Sequence, residues 1–263
     1  MDGAVAGRSL ELTSSIRALL SCLGGLAVVL ALVPPVASHV GRYAFVQALQ
    51  FTLLALVAPA LLVVGAPWKT LRLARSDRIG PLIPGNGPAV DRLAARRQRA
   101  DRYVVAFAYL GLFLAVVIAW RVPGSVDAIA THPALALLEA VTLVPVGVGF
   151  WLELIGSPPL EPRASRPQRM ALAAVAMWVV WLLAYLIGFS RGAWFPAYHH
   201  VAGRGLSLSG DQQVTAAVLW FVSLCCFVPV IFANLVRWLR SEENPDEELR
   251  HILREKRRRG GPA

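Results

Sequence analysis

Apolar residues dominate six stretches of this chain, at about 18–37, 44–66, 103–120, 133–154, 170–190 and 214–236. A membrane-spanning helix needs about 20 mostly apolar residues, and each stretch is close to that length. The pattern predicts an all-α, polytopic integral membrane helix bundle with six transmembrane helices. Pro59, Pro145 and Pro229 fall inside apolar stretches. Bundled membrane helices tolerate them as kinks. The first stretch also resembles a secretory signal. Its apolar core is long, however, and Pro35 stands where a small residue should precede a cleavage site, so it is read as a helix.

Composition agrees. The 263 residues are 56% hydrophobic, 16% charged and carry a formal net charge of +10. Soluble domains sit nearer about 45–50% apolar. The basic residues are concentrated between the apolar stretches, which argues against a nucleic-acid binder with a basic folded surface. Summed over alternate segments, Lys and Arg number 22 on one side and 4 on the other. The positive-inside rule then predicts both termini in the cytoplasm and the Arg191 to Asp211 loop outside. The expected organisation is a cytoplasmic N-terminal segment over 1–17, a transmembrane domain over 18–236 and a basic cytoplasmic tail over 237–263. The segment "AVDRLAARRQRADR" reads as a short basic helix at an anionic lipid surface, and the tail has Leu249, Ile252 and Leu253 at helical spacing.

Polar residues inside the apolar stretches stand out. Measured from the outer end of each span, Gln47 lies about 5 Å deep, Gln50 and Glu139 about 10 Å, Tyr185 about 8 Å and Trp220 about 9 Å. They predict one polar layer on four helices. Gln47 and Gln50 are three residues apart, on one helix face, where they can share a partner. An intramembrane carboxyl is rare, which makes Glu139 the first functional candidate. Asp211 stands before an apolar run, at an expected N-cap, with Gln212 and Gln213 filling the first turn. His132, His199 and His200 are candidate metal ligands in outer loops, with Tyr198 able to orient one of them. Cys22, Cys225 and Cys226 lie in apolar runs and indicate no disulfide framework. Cys225 and Cys226 are the candidates for a soft-metal relay within the membrane. No nucleophile–base pair, phosphate loop or HExxH motif is present, so the chain is not read as an enzyme.

Three blocks of sequence carry a family likeness. They are "LLALVAPALLVVGAP" after the two glutamines, "WRVPGSVDAIATHPALALLEAVTLVPVGVGFW", and "PAY" followed by "GLSLSGDQQVTAAVLW". In these the chain resembles the bacterial CtaG family, assembly factors of caa-type cytochrome c oxidase. The family usually has about one more span, which would lie N-terminal. Its pattern has histidines where this chain has Gln47, Phe51, Arg121, Ala136 and Ala140, while Gln50 and Glu139 are retained. Those histidines look like a copper- or haem-related site near the outer face.

The resemblance implies a multi-pass protein of a bacterial cytoplasmic membrane that assists assembly of a respiratory haem–copper oxidase. The expected mode is binding of an oxidase subunit or another assembly factor, with membrane lipid around it. With the histidines replaced, no tightly bound cofactor is expected. Arg121 is expected to pair with Glu139 or Asp127. Two other functions stay open: a copper metallochaperone using His132, His199, His200, Asp127 and Asp211, and a proton-coupled transporter centred on Glu139.

Overall fold

The computed structural model describes residues 14–70, 102–132, 134–201 and 205–242. The basic segment before residue 102, most of the C-terminal tail and the side chain of His200 lie outside the described residues. Among the described residues there are no strands, and six helices are long and apolar enough to cross a membrane. They are Ser14–His39, Ala44–Gly65, Val104–Arg121, Leu135–Leu154, Arg166–Gly188 and Leu208–Arg240, taken below as the first to sixth spans. In lipid a chain must satisfy its backbone polar groups internally, and a helix does so within one segment.

The second span is the centre. Of its most apolar window 61% is buried, against 17% for the first and sixth spans. Its first half packs on the sixth span, and its second half on the first and fourth. The third span pairs with the fourth, and the fifth with the sixth. Outward side chains such as Val104, Trp178, Phe221 and Phe232 are exposed, as a lipid-facing surface requires. Inside, Phe113 stacks on Phe150 at 4.4 Å and Trp151 on Phe227 at 5.1 Å, locking the third, fourth and sixth spans together.

The second span is not a uniform helix. A π-helical turn, Leu53–Val57, precedes Pro59. A proline ring would meet the carbonyl four residues back, here that of Ala55, and the wider turn relieves the conflict. Gly147 of the fourth span packs at this point. A Cβ there would lie 2.7 Å from Pro59 Cγ and 3.1 Å from the Ala55 carbonyl oxygen. Only a glycine lets the two backbones approach this closely.

The end of the bundle that carries Arg121 is closed by two short elements. Helix Pro123–Thr131 starts with proline in its first turn, after Val122 in extended conformation. A 3-10 turn follows later, at Pro196–Val201. The Asp127 Oδ1 accepts the Ala197 N–H at 3.1 Å and holds the two together.

Candidate functional site

Arg121 ends the third span and is 1% exposed. A bare guanidinium there is expected to snorkel to water. Instead it turns inward. Its Nη1 donates to Gln47 Oε1 on the second span. The Gln47 Nε2 then donates to Glu139 Oε1 on the fourth span at 3.2 Å. Gln47 and Glu139 are both fully buried. One amide thus connects a cation to a carboxyl, offering its oxygen to the first and its N–H to the second. The guanidinium carbon also sits 5.2 Å from the Phe51 ring centroid and 5.5 Å from that of Phe195. Two aromatic faces therefore supply part of what water would supply to a buried cation.

The expected pairing is selected by this geometry. Arg121 is linked to Glu139 through Gln47, whereas Asp127 takes up the Ala197 N–H in the cap formed by the two short elements. Phe195, which covers the guanidinium, was not singled out in the sequence. The signal for it is weak: an aromatic in a loop, 74 residues beyond the arginine it covers.

Gln47 and Gln50 do not share a partner. Gln50 Nε2 donates to the Ala31 carbonyl at 2.6 Å. In a helix that carbonyl would accept the N–H four residues on, but residue 35 is proline and has none. Gln50 satisfies the acceptor that Pro35 leaves open. Beside it lies a cavity of about 240 Å³ lined by Leu32, Val40, Gly41, Gln50, Ile129 and Ala136.

Two members of the expected polar layer lie elsewhere. Tyr185 is 59% exposed and Trp220 46% exposed, and both face away from the Arg121 cluster. With Trp178, Trp181, Phe189 and Gln213 they line an open groove of about 630 Å³ between the fifth and sixth spans. Their depth matches that of the glutamines, but their azimuth does not.

The Asp211-Gln212-Gln213 string divides into three tasks. Asp211 is not the N-cap of its own helix. That helix begins at Leu208, and the Ser207 Oγ accepts the Gly210 N–H at 2.9 Å, as a cap does. The freed Asp211 carboxylate reaches the second span, where it accepts the N–H groups of Ala44 at 2.9 Å and Phe45 at 3.1 Å. Gln212 fastens the loop between the fifth and sixth spans: its oxygen accepts the Trp194 N–H at 3.2 Å, and its Nε2 donates to the Ile187 carbonyl at 2.8 Å. Gln213 faces the groove.

Tyr198 is fully buried and donates its hydroxyl to the Val40 carbonyl at 2.9 Å. Burial pushes its phenol above the ordinary range, against the pull of Arg121 and with the help of Asp211, Asp127 and Glu139. It remains a protonated donor. It fixes the Pro196–Val201 turn to the first–second span connection.

His132 follows the short helix, its Nδ1 2.9 Å from the Thr131 hydroxyl, and His199 is exposed. Among the described residues no three His, Cys, Asp or Glu side chains come close enough together to hold a metal ion. Three of the positions that the resemblance assigns to histidines, Gln47, Phe51 and Arg121, meet in space. Gln47 and Phe51 both contact Arg121, and Glu139, between Ala136 and Ala140, completes the cluster. Those three positions present an amide already bonded at both ends, a guanidinium and a phenyl ring. That set does not fit copper, which takes thiolate, thioether or imidazole.

Neither a curated protein nor a solved structure matches the chain. The family model of the cytochrome c oxidase caa3 assembly factor (Caa3_CtaG) matches residues 4–241, nearly the whole length. With six apolar membrane-length helices and this match, the chain belongs to the cytochrome c oxidase caa3 assembly factor family.

Proposed function

We propose that this protein assists cytochrome c oxidase assembly by holding a partner, an oxidase subunit or a further assembly factor, in the membrane, and that it does so without catalysis. The observation that carries the reading is the Arg121–Gln47–Glu139 chain of hydrogen bonds. Gln47 and Arg121 stand at positions that the family resemblance gives to histidines, and Glu139 is the carboxyl that the resemblance retains between two more. The link is enclosed by aromatic rings and joins three spans, so it serves as a structural centre for the outer half of the bundle. The membrane is the bacterial cytoplasmic membrane, with both termini inside, as the 22-to-4 split of basic residues supports. Copper is handled, on this reading, by the partner.

The test is genetic and biochemical. Deleting the gene should lower the amount of assembled oxidase, measured by its haem spectrum and its copper content. Complementation with the unaltered gene should restore both. A Q47L/E139L gene, carrying an uncharged centre, should restore less. Unchanged oxidase in the deletion strain removes the assembly role. Normal subunit assembly with copper alone missing would instead favour a metallochaperone.

A further inference from the structure

The cavity beside Gln50, about 240 Å³, lies between the end of the first span and the start of the fourth. Burial is graded along its wall. Leu137 is 61% exposed and marks the mouth, Ala37 and Ala136 are half-buried, and Val40, Ile129 and Gln50 are buried. The cavity therefore leads from the surface of the bundle to a buried amide.

That amide is satisfied on one side only. Its Nε2 donates to the Ala31 carbonyl at 2.6 Å, and among the described residues nothing bonds its Oε1. A carbonyl only accepts, so the N–H side of the amide has to face Ala31 and the oxygen is turned away from it. A buried acceptor without a partner is costly, and the usual remedy is a donor from elsewhere. Among the side chains of the cavity wall Gln50 alone is polar, and none is charged.

This wall selects among occupants. An ion finds no counter-charge on it. Ordered water needs about two to four polar partners, and the lining side chains offer one. A wholly apolar molecule suits the aliphatic walls and leaves the Gln50 oxygen unsatisfied. A neutral ring with one O–H or N–H suits both the walls and the amide. Space is sufficient, since an apolar cavity of about 150 Å³ already holds benzene.

We propose that this cavity binds one neutral, ring-sized molecule with a single hydrogen-bond donor. The donor meets Gln50 Oε1, and the ring lies between Val40, Ile129 and Ala136. Phenols and neutral azoles belong to this class. Ala136 keeps the space open, and a larger side chain there would take it up.

The experiment uses the full chain in lipid nanodiscs and fluorine NMR with two probes, para-fluorophenol and para-fluorotoluene. The probes have nearly the same shape and differ in the donor. Nanodiscs without protein give the signal of lipid-dissolved probe, which is subtracted. The unaltered protein should show saturable binding of para-fluorophenol, at least about fivefold tighter than of para-fluorotoluene. Unlabelled phenol should displace it. The Q50M variant should bring the two probes to equal affinity. The A136L variant, which leaves the amide in place, should bind neither. No saturable binding, equal affinities in the unaltered protein, or undiminished binding in A136L overturns the proposal. A folded Q50M protein that still prefers the phenol overturns it as well. Gln50 also holds the Ala31 carbonyl, so Q50M is first checked by its elution and melting. If it does not fold, the two probes on the unaltered protein and on A136L decide the matter.

Discussion

Asp211 caps a helix to which it does not belong. Its two carboxylate oxygens accept the first two N–H groups of the second span, 2.9 Å from Ala44 N and 3.1 Å from Phe45 N, across 167 and 166 residues of sequence. A side-chain cap satisfies donors that a helix start leaves open, and a charged acceptor strengthens the bond. Asp211→Ala should therefore cost about 2 kcal/mol, the upper part of the range for lost caps. Asp211→Asn keeps one oxygen of the two and should lose about half as much. Thermal unfolding in detergent measures both. No loss in the alanine variant would show that the contact contributes nothing.

The link from Arg121 through Gln47 to Glu139 predicts coupling between the two charged residues. A double-mutant cycle with Arg121→Gln and Glu139→Gln should give an interaction energy above about 0.5 kcal/mol. The Arg121 and Asp127 pair should be additive, because Asp127 is committed to Ala197. Repeating the first cycle in a Gln47→Leu background should shrink the coupling. Coupling that is unchanged there would mean that the amide carries none of it. Arg121→Gln alone leaves Glu139 without its cation and should be the costliest single change, about 3 kcal/mol or more.

Gly147 tests the contact at the π-helical turn. Gly147→Ala places a methyl 2.7 Å from Pro59 Cγ and 3.1 Å from the Ala55 carbonyl oxygen, so the ring or one of the two backbones must shift. A loss of about 1–3 kcal/mol is expected, as for overpacking in general. Gly111→Ala is the matched control, since a Cβ there meets nothing within 4 Å. It should be neutral or mildly stabilising, alanine being the better helix former by about 1 kcal/mol. Equal effects at the two positions would refute the close-approach account.

The proposed orientation is checked by labelling in intact cells. In a cysteine-free background, a thiol reagent unable to cross the membrane should react with Gly192→Cys and not with Gly85→Cys. Gly192 is exposed in the loop between the fifth and sixth spans, with open space around it. The opposite pattern would invert the orientation and move the Arg121 cluster to the cytoplasmic side.

Metal retention tests the altered ligand set. Protein loaded with Cu(I) and washed with a competing chelator should keep well under one copper per chain, because amide, guanidinium and phenyl are poor partners for the ion. Copper that stays and is lost with His199→Ala or His200→Ala would establish an outer-loop site. Loss with Cys225→Ser or Cys226→Ser would place it in the sixth span.

Much of the site was legible as a set of residues and little of it as a set of contacts. Gln47, Gln50 and Glu139 announce themselves because an amide or carboxyl in an apolar run must find a partner. Which partner was not legible. Gln50 serves the Ala31 carbonyl, and the Pro35 that orphans it is visible in the sequence, but the pairing of the first with the second span is not. Tyr185 and Trp220 sit at the right depth and on the wrong side. Depth follows from counting residues along a span, whereas azimuth depends on how the span is rotated against its neighbours. The sixth span illustrates a further limit. Its apolar core, 214–236, was clear, yet the helix runs from Leu208 to Glu242, because hydrogen bonding continues after hydropathy ends. That extension makes Ser207 the cap and releases Asp211 for another helix.

The sequence by itself determined the number of spans, their helical character and the concentration of basic charge on alternate connections. These are sums along the chain, and a lipid environment converts them directly into helices that satisfy their own backbone. Tertiary structure alone decided that Gln47 stands between Arg121 and Glu139, which come from spans 74 and 92 residues away from it. Each of these groups is costly when buried alone. They become tolerable together only when the second, third and fourth spans pack with those faces turned inward, and no local property of any one span specifies that rotation.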